Sequence, residues 1–225
     1  SEELALTIGP TVELMLGGML IAIPFGLALG TLAAVKRGTL IDRAIMAVSV
    51  AGVSMPVFFI GLVLIQYMGF QWGLFPFTGR TGPIWDGGLP SLVLPALTLG
   101  SVLIGPIARL TRTAVLEVLG ADYVRTARAK GLRETVVIIH HALRNAMIPV
   151  VTLVGLQAPL LIGGAVIIEQ IFVIPGMGLL LLDAVQQRDY PIITGVFLVV
   201  GVAVMLINLM VDLSYGFLDP KVRMR

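Results

Sequence analysis

The chain has 225 residues, of which 57% are hydrophobic and 12% are charged, about half the roughly 25% charged share of a typical soluble domain. This composition excludes a soluble domain, which would expose large apolar patches, and a net charge of +2 gives no reason to expect a nucleic acid partner. Because cysteine is absent, disulfides and thiolate metal sites are also excluded.

Five apolar runs, taken in chain order, predict membrane-spanning helices near residues 12–35, 44–68, 90–109, 147–169 and 191–212. About 20 residues suffice to cross a hydrocarbon core, and helices are expected because lipid offers no partner to unpaired backbone groups. The spans leave no room for a soluble catalytic domain. We therefore predict an all-α integral membrane protein, with residues 1–225 forming a single transmembrane domain.

The basic residues predict the orientation of these spans. Thirteen of the 15 lie between spans one and two, between spans three and four, or after span five, and only Arg80 and Arg188 lie on the other side. Since cytoplasmic loops carry an excess of lysine and arginine, these three segments and the C-terminus are predicted to be cytoplasmic. The N-terminus is then outside, so we expect one further helix before it, six in all.

Two segments are predicted to lie outside. The first, residues 69–88, contains Trp72 and Trp85, and aromatic residues of this kind favour an interfacial loop over a ligand contact. The second, residues 171–190, is too short to span but apolar. A re-entrant or interfacial helix fits it, with a bend at Pro175, Gly176 and Gly178.

The cytoplasmic segment 111–146 contains a predicted short helix. Asp122 is placed to cap its N-terminus, and Gly131, preceded by Lys130, is placed to end it. Such a helix suits a groove on a cytoplasmic partner. Its arginines equally suit anionic lipid head groups, and the residues alone do not separate these two interpretations.

The segment from Tyr123 to Gly131 resembles the cytoplasmic loop of permeases from the dipeptide/oligopeptide/nickel family of ATP-binding-cassette (ABC) importers. Further blocks of the chain are also similar to this family and occur in the same order as in its members. They are residues 54–61, 94–99, 141–149, 169–178, 188–191, 208–212 and 218–223. One departure is that Arg125, Thr126 and Ala127 stand where importers in general have Glu-Ala-Ala. This variant is known in the peptide and nickel branch of importer permeases, so it narrows the resemblance to that branch.

The resemblance implies a type I importer permease fold in a prokaryotic inner membrane, paired with a second similar permease. It also implies two cytoplasmic ATPase subunits and an external solute-binding protein as partners. ATP and Mg would belong to the ATPases, leaving this chain without cofactor, metal or enzymatic activity. Peptides, nickel, glutathione and oligosaccharides all remain open as substrates. The implied ATPase-coupling residues are Asp122, Tyr123, Arg125, Thr126, Ala127, Arg128, Ala129, Lys130 and Gly131.

Glu169, Pro175, Gly176 and Gly178 are candidates for a gate or outer loop, although simple solvation of Glu169 at a helix end is favoured over pairing with Arg188 or a gating role. Adjacent His140 and His141 favour a structural role over a metal site, because neighbouring helical residues point about 100° apart.

No acidic residue stands in the middle of a span, which argues against an ion-coupled secondary carrier, the alternative transport mechanism. A non-transporting membrane scaffold is a third interpretation. Glycines of the spans are placed where helices could approach closely, and prolines, among them Pro56, would bend or loosen their spans. Helix packing is the favoured interpretation of these residues, and it is compatible with a hinged translocation path.

Overall fold

The computed structural model describes residues 2–218, except for the side chains of His141, Ala158, Val211, Asp212 and residues 214–218, and this part of the chain is helical without strands. The predicted C-terminal block 218–223 lies almost wholly outside these residues. The helices are α1 (Glu2–Val35), α2 (Leu40–Ser54), α3 (Val57–Leu64), α4 (Leu89–Leu119), α5 (Asp122–Ala129), α6 (Glu134–Val136), α7 (Arg144–Phe172), α8 (Met177–Gln187) and α9 (Tyr190–Leu218). Two π-helical segments, Ile65–Gln71 and Val137–Leu143, continue α3 and join α6 to α7.

Four stretches of these helices are long and apolar enough to cross a membrane: Glu2–Val35, Leu89–Leu119, Glu134–Gln157 and Tyr190–Met210. Two bent pairs, Leu40–Ser54 with Val57–Gln71 and Pro159–Phe172 with Met177–Gln187, raise the number to six if each pair is one span. Helix α4 is the most enclosed of the four and α9 the most exposed.

The second predicted span, 44–68, is not one straight helix. Helix α2 ends at Ser54, α3 begins at Val57, and their axes are bent by 104°. Pro56 precedes α3 with an extended backbone. Because proline has no N–H to donate and disfavours a helical conformation in the residue before it, the helix breaks there.

The described residues divide into two compact units. The first comprises residues 2–22, 54–102 and 157–206, and the second comprises 23–53, 103–156 and 207–218. The first contains seven acidic and two basic residues, whereas the second contains five acidic and ten basic ones. The two units therefore carry net charges of opposite sign.

Small residues allow α1 to approach α4 closely within each unit. In the first unit, a Cβ added to Gly100 would lie 2.7 Å from the Gly18 carbonyl oxygen. In the second, a Cβ at Gly30 would lie 2.6 Å from the Thr111 Cβ and would also meet the Ala108 carbonyl oxygen. Since lipid is as apolar as the helix surfaces, this close packing supplies much of the attraction between membrane helices.

An ion pair joins α2 to α4 in the second unit. Arg112 donates from Nε to Asp42 Oδ1 at 2.6 Å and from Nη2 to Oδ2 at 2.8 Å. The Gly38 N–H also donates to Oδ2, at 2.9 Å. The Asp42 side chain is only 5% exposed, so the carboxylate has exchanged water for these three donors.

The Asp42–Arg112 ion pair is largely enclosed, so it should contribute more to the stability of the folded chain than an exposed ion pair does. Asp42→Asn removes the charge from a bidentate contact and leaves Arg112 without its counter-ion, so we expect the unfolding temperature of the detergent-solubilised chain to fall by several degrees. Glu134→Gln is the matched control, because the Arg128–Glu134 pair is exposed and such pairs contribute little. Equal shifts in the two variants would contradict this ranking.

Candidate functional site

Helix α5 is a short element whose end matches the prediction from sequence. Gly131 has a φ of +76°, its N–H donates to the Arg128 carbonyl at 2.9 Å, and the Leu132 N–H donates to the Ala127 carbonyl at 3.4 Å. These two bonds form a Schellman motif, which favours glycine at the left-handed position. The predicted role of Gly131 as the helix terminator is confirmed.

The predicted role of Asp122 as the N-cap is wrong. Ala121 is the capping residue, with extended backbone and no side-chain cap, and Asp122 is the first helical residue. Its carboxylate lies 3.8 Å from Arg125 Nη1 and is almost fully exposed. A carboxylate in the first turn still interacts favourably with the partial positive charge of the helix N-terminus.

One face of α5 packs and the other is open. Val124 and Ala127 form a buried cluster with Val137, and Val118 and Leu119 pack against it. Ala127 therefore belongs to the core, unlike the remaining residues predicted for coupling, all of which are exposed: Asp122, Tyr123, Arg125, Thr126, Arg128, Ala129, Lys130 and Gly131. The open face is largely polar, and three of its four charged residues are basic.

Two side-chain contacts join α5 to the two helices that follow it, α6 and α7. Asn145 Nδ2 donates to the Tyr123 hydroxyl at 2.7 Å, which joins α5 to α7. Arg128 donates from Nη2 to Glu134 at 2.6 Å, and this hydrogen bond raises the pKa of the Arg128 guanidinium. Helix α5 is thus hydrogen-bonded directly to α7 and is also connected to α4 through residues 120 and 121.

Helix α8 is the second candidate functional element, and the backbone N–H groups at its N-terminus bind the Glu169 carboxylate. The Glu169 side chain is fully buried and accepts hydrogen bonds from the N–H groups of Gly178 at 2.7 Å and Leu179 at 3.1 Å. The Thr11 hydroxyl donates to Glu169 Oε1 at 2.6 Å and accepts from the Met177 N–H at 2.9 Å. The favoured interpretation of Glu169 as a solvated helix end is therefore wrong.

The predicted bend before α8 is present, and its axis turns by 81° from that of α7. Gly176 leaves room for the buried carboxylate, since an added Cβ would collide with it. Gly178 has the same role, because its Cβ would lie 2.9 Å from Glu169 Oε2 and 2.5 Å from the Val166 Cα. Pro175 is exposed in the connecting loop.

Arg188 is not the partner of Glu169. It is exposed at the far end of α8, where its φ is +57°. The predicted interfacial aromatics are exposed, with Trp72 at 62% and Trp85 at 83%. Among the described residues, no group of three or more His, Cys, Asp or Glu side chains is arranged to hold a metal ion.

Sequence reasoning missed two ion pairs and the cap on α8. The Arg80–Glu13 pair, at 2.7 Å, ties the loop before α4 to α1, and Asp42–Arg112 ties α2 to α4. The signal available for the cap was an acidic residue at the end of an apolar run, followed by two glycines separated by one residue.

The sequence matches the profile of the family described as binding-protein-dependent transport system inner membrane component over residues 26–224. It is 42% identical to the dipeptide transport system permease protein DppB of Escherichia coli K12, over 99% of this chain and 73% of that protein. It is 43% identical to the E. coli K12 glutathione transport system permease protein GsiC, over 99% of this chain and 71% of that protein.

The fold is similar to a chain of the inward-facing MetNI methionine ABC transporter. The TM-score is 0.75 with 19% sequence identity, and the match covers 96% of each chain. The arrangement of helices is therefore that of an ABC importer permease.

Proposed function

Since the chain belongs to the binding-protein-dependent transport system inner membrane component family, we propose that it forms one half of a path for short peptides through the inner membrane. It is a permease subunit of an ABC importer and a transport component, not an enzyme. The proposed substrate class rests on the relatives that carry dipeptides and glutathione, both of which are short peptides.

We propose further that the exposed face of α5 binds a cytoplasmic ATPase subunit, which hydrolyses ATP with Mg. The observation that carries this proposal is the construction of α5, which is anchored on Val124 and Ala127 and open on its polar face. A second permease, a second ATPase and an external solute-binding protein complete the proposed assembly. An ion-coupled carrier is not favoured, because the relatives are permeases of binding-protein-dependent systems.

The proposed orientation follows from the distribution of basic residues. The segments that contain most of them, including the one with α5, face the cytoplasm together with the C-terminus, because cytoplasmic loops carry an excess of lysine and arginine. The segments 69–88, with the exposed Trp72 and Trp85, and 171–190, with α8, face outward.

Cross-linking in the assembled transporter tests the ATPase contact. The chain has no cysteine, so a single introduced cysteine is the only thiol of this subunit that can cross-link. We expect Thr126→Cys, on the open face of α5, to cross-link to a copurifying ATPase. Trp85→Cys is the control, because Trp85 is also exposed but lies in the first unit. Cross-links to the ATPase from position 85, with none from position 126, would overturn the proposal.

Uptake into proteoliposomes tests the substrate class. With the binding protein and ATP supplied, labelled dipeptide or glutathione should accumulate, and accumulation should cease without ATP. Uptake driven by a proton gradient in the absence of ATP would contradict the importer mechanism.

A further inference from the structure

The network around Glu169 contains a buried acidic group that the contact with the ATPase does not use. We infer that Glu169 and Thr11 are positioning residues that hold the first turn of α8 in place through their hydrogen bonds to residues 177–179. We call this set of contacts the α8 seat, and we infer that solute uptake depends on it. The role in uptake rests on the proposed function. The seat itself is a property of the first unit alone.

The first turn of α8 has no capping side chain of its own. Gly176 occupies the capping position without a side-chain cap, and the first intrahelical bond begins with the Leu180 N–H, which donates to the Gly176 carbonyl at 3.1 Å. The three N–H groups before it are satisfied by Thr11 and Glu169. Helix α8 is therefore capped by one side chain from α1 and one from α7, and it loses all three hydrogen bonds if it moves away.

Packing on one side of this turn is weak. A cavity of about 230 Å³ lies beside it, lined by Met177, Gly178 and Leu181 of α8 and by apolar side chains of α1, α7 and α9. On this side the turn has fewer protein atoms packed against it, because the pocket is open to the surface beside the exposed Val12 and Phe197. The hydrogen bonds to Thr11 and Glu169 are therefore the specific contacts that position it.

Backbone N–H groups, and not a basic side chain, compensate the charge of the Glu169 carboxylate. Among the described residues, Glu169 forms no ion pair, and the two basic residues of the same unit are engaged or remote: Arg80 pairs with Glu13, and Arg188 is at the other end of α8. The amides at the N-terminus of a helix stabilise a carboxylate. A glutamine would keep one acceptor for Gly178 and Leu179 and could donate to Thr11, whereas alanine would remove every contact.

Amide hydrogen exchange in the membrane-reconstituted transporter measures the seat directly. In Glu169→Ala, the amides of residues 177–180 should exchange at least about tenfold faster than in the wild type, since hydrogen bonds to a charged group are lost. Glu169→Gln should give a smaller increase, which shows rescue by a side chain of the same shape. Wild-type protection of α8 in Glu169→Ala would overturn the inference.

Two controls separate the seat from general unfolding. Glu13→Gln alters another buried carboxylate of the same unit and should leave exchange at 177–180 unchanged, while the amides of α4 should stay protected in all variants. If Glu169→Ala exposes α4 as well, Thr11→Val decides the question, because it removes the partner of the Met177 N–H without changing the shape of the side chain. Unchanged exchange in Thr11→Val would then reject the seat.

Uptake tests the role of the seat in transport. Glu169→Ala should lose most uptake while its ATPase subunits stay bound and active, and Glu169→Gln should recover part of it. Normal uptake alongside fast exchange of α8 would overturn the role in transport but leave the ATPase contact of α5 standing. Absence of the ATPase cross-link from Thr126→Cys in a chain that keeps Glu169 would instead reject the proposed function.

Discussion

Gly131→Val is expected to lose most solute uptake while the chain still inserts into the membrane. Gly131 has a φ of +76°, which costs a residue with a Cβ about 1–2 kcal/mol and a β-branched residue more. The two bonds that end α5 both depend on this conformation. The helix end must therefore shift, and we expect ATP hydrolysis to continue without uptake in the reconstituted transporter.

The matched control is Gly38→Val. Gly38 has a φ of +79° and, like Gly131, no atom close to an added Cβ, but it lies between α1 and α2. Equal uncoupling by both variants would show that backbone strain in the second unit, and not α5, is responsible. Gly131→Asn should be milder, because asparagine tolerates the left-handed conformation.

Asp122→Lys provides an independent change on α5. The side chain is exposed at the first helical position, so the substitution alters the charge of the open face without disturbing the core. Wild-type ratios of uptake to ATP hydrolysis in both Asp122→Lys and Gly131→Val would contradict the assignment of α5 as the ATPase contact.

Gly30→Leu is expected to cause the largest loss of stability. Its Cβ would meet the Ala108 carbonyl oxygen and lie 2.6 Å from the Thr111 Cβ, and backbone atoms cannot rotate away as a side chain would. Forcing extra atoms into a packed interface costs about 1–3 kcal/mol, occasionally more. We expect a clear fall in the unfolding temperature of the detergent-solubilised chain, and less of the chain in the membrane.

Gly52→Leu is the matched control for this prediction. Gly52 is also a helical glycine of the second unit, but no atom lies within 4 Å of an added Cβ. It should unfold near the wild-type temperature. If both substitutions lower that temperature equally, the close approach of α1 to α4 is not what stabilises this unit.

Most of the helices could be predicted from the order of residues, because hydropathy and turn preferences act locally. The long apolar runs predicted the membrane helices, and Gly131 predicted the end of α5. A bend or loosening of the second span was expected at Pro56, but the complete break between α2 and α3 was not. Neighbouring helices can repair the backbone around a membrane proline, so the residue alone does not predict whether the helix kinks or stops.

The polar contacts could not be predicted in the same way. Asp42 and Arg112 are 70 positions apart, and Thr11 and Glu169 are 158 positions apart. Each of these side chains, taken by itself, is compatible with solvent at a helix end, as was expected of Glu169. Their pairing depends on which helices become neighbours.

The membrane location, the short loop helix and its glycine terminator thus follow from residue order alone, since each reflects solvent preference or the conformation of a few adjacent residues. The buried seat of α8, the ion pair between α2 and α4, and the close approach of α1 to α4 were decided only by tertiary structure. Burying a carboxylate is unfavourable until distant donors replace its water, and only the folded chain brings those donors together.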